Sequence, residues 1–251
     1  MSGHSKWAGI KHKKAIIDAK RAVSFTKVAR EVTIAAKEGG GNPDGNFRLR
    51  LAVQKAREAN MPADKIKNAI DRGTGAAAGE ALEELRYEGY GPAGVAVLVD
   101  GVTDNRNRTS ASLRHIFVKN GGNLGESNSV AYLFERKGVI EVDAAGKDPE
   151  ELGMVAIEAG AEDISIDGDS IEVTTGPNEF EAVRDALEQA GARIENAEVT
   201  MHPKSTVPVG EDKAAGVLRL MEALEEDDDV QQVYANFDIP ADVLERVSAS
   251  V

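Results

Sequence analysis

Two clusters in this chain carry residues that could do chemistry, and the chemistry in both cases is the binding of phosphate. The first is Gly3-His4-Ser5-Lys6-Trp7, continued by Lys11-His12-Lys13-Lys14; residues 1–20 hold five Lys, one Asp, two of the four His and the one Trp. Lysines gain affinity for a polyanion by releasing its condensed counterions. An indole ring stacks on an unpaired base or lies beneath a cation. The bland account is a solvated basic arm with Trp7 as an apolar anchor. Arg21, Lys27 and Arg30, further along, tilt the balance toward binding.

The second cluster is Thr103-Asp104-Asn105-Arg106-Asn107-Arg108-Thr109. Asp104 or Asn105 is placed to cap a helix, which puts Arg106 and Arg108 in its first turn. The helix dipole disfavours cations there by roughly 0.3–1 kcal/mol each. Such a pair implies either an anionic ligand or carboxylates from elsewhere in the chain. Arg114, His115 and Lys119 follow on the same helix, and Gly121 to Gly125 come after it as a cap and turn.

Signals for catalysis are missing. His4, His12, His115 and His202 form no metal-ligand spacing, and no Walker A, G-x-S-x-G or H-E-x-x-H pattern occurs. No enzyme activity, catalytic residue, metal or cofactor is expected, and no small-molecule substrate is evident. The run Glu225 to Asp229 reads as a solvated helix end, and Glu88 to Gly94 as a tight hairpin connection.

The charge is divided along the chain. Residues 1–75 contain 16 Lys and Arg against 7 Asp and Glu, whereas the other 176 residues contain 14 against 36, for a net −13 overall. Cations gathered at one end allow docking of nucleic acid by a protein whose body repels it. The absence of Cys fits a reducing compartment, and with no secretory leader or membrane span in view a cytoplasmic protein without a membrane partner is expected.

The elements that position these clusters follow from periodicity. Ser24 caps a helix with Phe25, Val28, Val32 and Ala35 at helical steps, ended by Gly39 to Gly41. Asn46 caps a second, bearing Leu49, Ala52, Val53 and Ala56, whose Arg48, Arg50, Gln54, Lys55 and Arg57 make it a possible reader of bases. Pro62 suits the first turn of a third, with Ile66, Ala69 and Ile70, stopped by Gly73. Residues 73–79 read as a linker. Strands follow at 85–90 and 95–99, a helix at 105–119, and strand-like runs at 130–134 and 138–142. Residues 137–202 then read β-α-β-β-α-β, the ferredoxin-like order. His202 to Lys204 start an irregular link to a helix at 211–226 and a strand at 230–237. The fold class is α+β: an N-terminal helical domain (1–75) and two α/β, ferredoxin-like domains (80–134 with 206–251, and 135–205), the third inserted in the second.

Gly3 to Trp7 with Ile10 to His12, Phe25 to Lys27, Gly39 to Gly41, Arg48 to Arg50, Ala59 to Pro62, Arg72 to Gly75, Tyr87 to Pro92, Thr103 to Thr109, Gly121 to Gly125, Val130 to Phe134, and finally Val230-Gln231, Val233-Tyr234 and Asn236-Phe237 together resemble the YebC/PmpR family. The resemblance runs from residue 2 to about 239; Phe47 departs from it, standing where many relatives carry Pro. It implies the same three domains. It also implies a cytoplasmic transcriptional regulator that binds DNA, with an RNA- or ribosome-binding translation factor that eases synthesis of proline-rich stretches as the alternative. No cofactor or catalytic residue comes with it. The expected nucleic-acid contacts are His4, Lys6, Trp7, Lys11, His12, Lys13, Lys14, Arg21, Lys27, Arg48, Arg50, Arg106 and Arg108.

Overall fold

The computed structural model describes residues 25–77, 81–144, 146–240, 243, 246 and 247. Three helices open it: α1 (Phe25–Gly39), α2 (Phe47–Glu58) and α3 (Ala63–Gly73). Val28, Val32 and Ala35 fall on one face of α1 and meet Leu49, Ala52, Val53 and Ala56 of α2 and Ile66 and Ala69 of α3 in a core of their own. The turn is built by Asn46. Its side-chain oxygen accepts from the Leu49 N–H at 3.0 Å, while its amide donates to the Ala35 and Gly40 carbonyls at 2.7 and 2.9 Å. One side chain thus ends α1 and starts α2. Gly73 is needed where α3 crosses α1, because a Cβ there would lie 2.3 Å from the Thr33 carbonyl oxygen. Pro62 occupies the cap of α3, one position before the first turn expected for it.

Strand β1 (Glu83–Tyr90) turns through Pro92–Gly94 into β2 (Ala96–Thr103), followed by α4 (Arg106–Lys119) and the short strand β3 (Asn123–Leu124). The run 130–134 is not a strand: Ala131–Leu133 form a 3-10 turn. The cause is Glu88, 5% exposed, whose carboxylate accepts the backbone N–H groups of Asn128, Val130 and Ala131, each at 2.7 Å. Donors held by a side chain are lost to a strand ladder. Burial works to raise the Glu88 carboxyl, but these N–H groups outweigh it and hold it below the ordinary range.

Strand β4 (Phe134–Asp143), α5 (Pro149–Glu158), β5 (Ala161–Asp167), β6 (Ser170–Thr175), α6 (Phe180–Gln189) and β7 (Arg193–Pro203) follow. Their antiparallel sheet has the order β5-β6-β4-β7, as the ferredoxin-like reading requires. His202 and Pro203 belong to β7, paired with Glu135 and Phe134, and not to an irregular link. Ile140, Val142, Ile171 and Val173 pack under Leu152, Ala156, Val183 and Leu187 of the two helices.

The chain closes with β8 (Val207–Pro208), α7 (Glu211–Glu226), β9 (Val230–Ala235) and β10 (Phe237–Asp238). β9 pairs antiparallel with β2, giving the sheet β3-β1-β2-β9 from segments on both sides of residues 132–206. Its core joins Val97 and Val99 to Leu113, Phe117, Leu218 and Leu224. Residues 132–206 form one compact unit; the described residues before 132 and after 206 form the other. The fold class is α+β.

Candidate functional site

The expected contacts His4, Lys6, Trp7, Lys11, His12, Lys13, Lys14 and Arg21 lie outside the described residues. The remaining five, Lys27, Arg48, Arg50, Arg106 and Arg108, are all in place, and the protein uses most of them internally.

Asp229 is the focus. It follows α7 in the run Glu225 to Asp229, which is a docking point and not the solvated helix end expected from its composition. A bulge at Asp100/Gly101 brings the backbone of Asp229 onto β2, where its carbonyl accepts the Val102 N–H at 2.8 Å. Gly101 permits this approach, since a Cβ there would stand 2.8 Å from the same carbonyl oxygen. The Asp229 side chain, 7% exposed, meets Arg30 Nη1 at 2.8 Å and Arg108 Nη2 at 3.0 Å. The Thr103 and Thr109 hydroxyls donate to its Oδ2. Burial works to raise its pKa, but Thr109, Arg108 and Arg30 prevail and hold it below the usual carboxylate value.

The same corner takes up one more cation, Lys27, and a second contact of Arg30. Lys27 Nζ donates to the Glu225 carbonyl and Arg30 Nη1 to the Asp228 carbonyl, at the C-terminal end of α7 where carbonyls lack helical partners. Asp227 is fixed by Ser112 Oγ at 2.6 Å and by the Asp229 N–H at 2.9 Å. A polar cleft of about 350 Å³ lies here, lined by Arg30, Arg108, Asp104, Ser112 and Asp227 to Asp229.

At the start of α4 the cap is Asn105, whose oxygen accepts from Arg108 N at 3.1 Å. The two first-turn arginines differ. Arg108 reaches Asp104 at 2.6 Å besides Asp229; bonds to Asp104 and then Asp229 raise its pKa. Arg106 has a looser pair, Glu83 at 3.6 Å, and a side chain 66% exposed. Internal carboxylates, one of the two explanations open from the sequence, account for Arg108. R108Q is therefore expected to lower the melting temperature by several degrees, while R106Q stays within roughly 0.5 kcal/mol of the parent. Thermal denaturation of the two single variants checks this, and equal effects would count against the assignment.

On α2, Arg48 is tied to three carboxylates: Glu31 at 3.3 Å, Glu38 at 2.5 Å and Glu84. Burial opposes its charge, but Glu84, Glu31 and Glu38 raise its pKa nonetheless. Arg50 donates to the Pro43 and Asp44 carbonyls at 3.2 and 3.0 Å and stays exposed.

Other cations of the bundle have a different environment. Lys55 and Arg57 on α2, with Lys65 and Lys67 on α3, are exposed and have no carboxylate partner among the described residues. Helical steps place Arg50, Gln54 and Arg57 on one outward face of α2, beside Phe47 and Leu51, which are 54% and 50% exposed. Sequence reasoning named Lys55 and Arg57 with Arg48, Arg50 and Gln54 as a reader of bases but left them out of the expected contacts, and it passed over Lys65 and Lys67. Asp229 had no local signal at all, because its partners lie more than 100 residues away.

Among the described residues no group of His, Asp and Glu is placed to hold a metal ion, and no helix is long and apolar enough to cross a membrane.

Comparison with known proteins adds a family to this geometry. The family model for the TACO1/YebC protein N-terminal domain matches residues 5–76, and that for the TACO1/YebC second and third domain matches residues 82–237. A "Probable transcriptional regulatory protein" of Rubrobacter xylanophilus is 57% identical over 250 residues, covering 99% of this chain and all of the relative. Another of that name, from Dictyoglomus turgidum, is 55% identical over 249 residues with the same coverage. The crystal structure of a conserved hypothetical protein from Aquifex aeolicus superposes with a TM-score of 0.76 at 51% identity, over 89% of this chain and 93% of that one. With its helical bundle and both of its four-stranded sheets matched in this way, the chain belongs to the TACO1/YebC family.

Proposed function

We propose that the protein is a regulator of gene expression that acts by binding DNA, with the helical bundle and the segment before it as the contact. One observation carries this reading. In a chain with 43 Asp and Glu, the cations Lys55, Arg57, Lys65 and Lys67 stay in solvent without a carboxylate among the described residues, although Arg30 and Arg48 of the same bundle are paired with carboxylates. Unpaired cations on an acidic protein are what a polyanion-binding surface requires. The names borne by the relatives point the same way.

The bundle also suggests how bases are met. Arg48 is spoken for, so the reader is the outward face of α2 with Arg50, Gln54 and Arg57. Arg and Gln are side chains that pair bidentately with guanine and adenine edges in the major groove. Lys55, Lys65 and Lys67 then take the backbone phosphates.

Changing Lys55, Arg57, Lys65 and Lys67 together to Gln is expected to weaken DNA binding at least tenfold and to flatten log K against log salt by about 3–4. Fluorescence anisotropy over a salt series measures both. An unchanged slope would remove this surface from the interface. Crosslinking in cells with sequencing of DNA and RNA is expected to enrich promoters, and enrichment confined to ribosomal RNA would overturn the DNA assignment.

A further inference from the structure

The outward ridge of α2 is apolar where solvent favours polar side chains. Phe47 and Leu51, one turn apart, are both half-exposed there. The buried side of the helix, with Leu49, Ala52, Val53 and Ala56, lies opposite. One exposed apolar side chain is ordinary, but two stacked on a single ridge make a strip. Helical steps put cations along both sides of it, Arg50 and Arg57 on one and Lys55 on the other. Lys55 and Arg57 have no carboxylate partner among the described residues, and Arg50 donates to the Pro43 and Asp44 carbonyls. A cation-bordered apolar strip fits a ligand with an anionic rim and apolar points inside it. The major groove of DNA has that form, with phosphates along its edges and the thymine C5-methyl groups on its floor. Gln54 continues the ridge, and its Nε2 donates to Glu58 Oε1 at 3.0 Å. A primary amide has a second N–H and a carbonyl oxygen besides, the two groups that an adenine edge requires.

We propose that Phe47 and Leu51 read thymine methyl groups, so that the strip selects A·T pairs where it lies. The inference rests on the reading of α2 as the helix that meets the major groove. Phe47 is the first residue of α2, and recognition helices touch base edges with their N-terminal residues. Leu51 lies about 6 Å further along the axis and Gln54 about 4.5 Å beyond that, against a rise of about 3.4 Å per base pair. The three side chains thus address pairs within a few steps of one another. The thymine methyl and the adenine edge belong to the same kind of pair, so the apolar strip and the amide select in the same direction. Glu58 repels phosphate at the end of the ridge, which leaves the backbone to the flanking cations. Each methyl withdrawn from water favours binding by a factor of about three to four.

The test begins with selection of duplexes from a random-sequence pool by the full chain. The selected duplex is then synthesised with thymine and with uracil, which lacks only the C5-methyl group, and both forms are measured by fluorescence anisotropy at one fixed salt concentration. The uracil form is expected to bind about three- to fourfold more weakly for each methyl contacted. The F47A/L51A variant should bind the two forms alike and keep the salt slope of the parent, because its phosphate contacts are untouched. Equal affinity of the parent for both forms overturns the proposal without recourse to any variant and leaves the DNA reading standing. A thymine preference that survives in F47A/L51A overturns it too, since other groups then read the methyls. Binding that enriches no sequence from the pool also rejects it. If the parent binds no duplex DNA at all, the functional reading fails and this inference falls with it.

Discussion

Replacing Asp229 by Asn is expected to remove about 3 kcal/mol of stability, because Arg30 and Arg108 are left converging on a neutral amide. The carboxylate is 7% exposed, so little water is available to take its place beside the arginines. The loss is large for a single side chain because four groups converge on it: two guanidinium groups and two hydroxyls. Urea denaturation of D229N against the parent measures the effect. A difference below about 0.5 kcal/mol would show that these contacts do not hold α1 to the end of α7. The pH dependence follows from the sign of the shift. The folded-state pKa of Asp229 is depressed, so its stabilisation is fully present above the unfolded value near 3.8 and is lost as pH falls through the lower folded value. The gap between D229N and the parent should therefore be constant from pH 5 to 8 and should close in strong acid. A gap that closes between pH 6 and 8 would assign the effect to another group.

Removal of residues 1–24 should have the largest effect on binding. The deletion takes away six Lys and Arg and one Asp, and with them Trp7. If all six cations neutralise phosphates, the salt dependence of log K falls by about 5 and the affinity at moderate salt drops at least a hundredfold. Neutralising Lys11, Lys13 and Lys14 alone should account for about half of the slope. A Trp7→Ala variant separates charge from stacking: it should weaken binding to single strands more than to duplex while leaving the slope unchanged. Binding of the truncated protein to DNA with undiminished affinity would confine the contact to the bundle.

Most of the fold was legible because it rests on short-range rules. The apolar spacing of Val28, Val32 and Ala35, the Asn46 cap, and the alternating hydrophobics of residues 138–142 and 171–173 each announce their element within a few residues. The exceptions were set by distant side chains. Val130 to Phe134 has the composition of a strand, but Glu88, some 40 residues earlier, takes its N–H groups. His202-Pro203 looks like a break, but proline at the end of a strand loses only one donor and β7 simply runs on. The site was less legible still. Charge counting located the cations but not their partners, and a cation is a ligand contact only where the fold leaves it unpaired. Arg48 and Arg50 are two residues apart on one helix; among the described residues the first is bound by three carboxylates and the second by none.

The pairing of β2 with β9 has a consequence for how the chain is made. β2 is complete at residue 103, but its neighbour ends at residue 235. At cellular rates of synthesis that wait lasts roughly 7–26 s. The three-helix bundle, with its separate apolar core, emerges well before then. During the interval Lys27 and Arg30 have no α7 carbonyls and no Asp229 to meet. Until Asp229 is made, the unfinished polypeptide thus presents Arg30 as a cation that the finished protein pairs with a carboxylate.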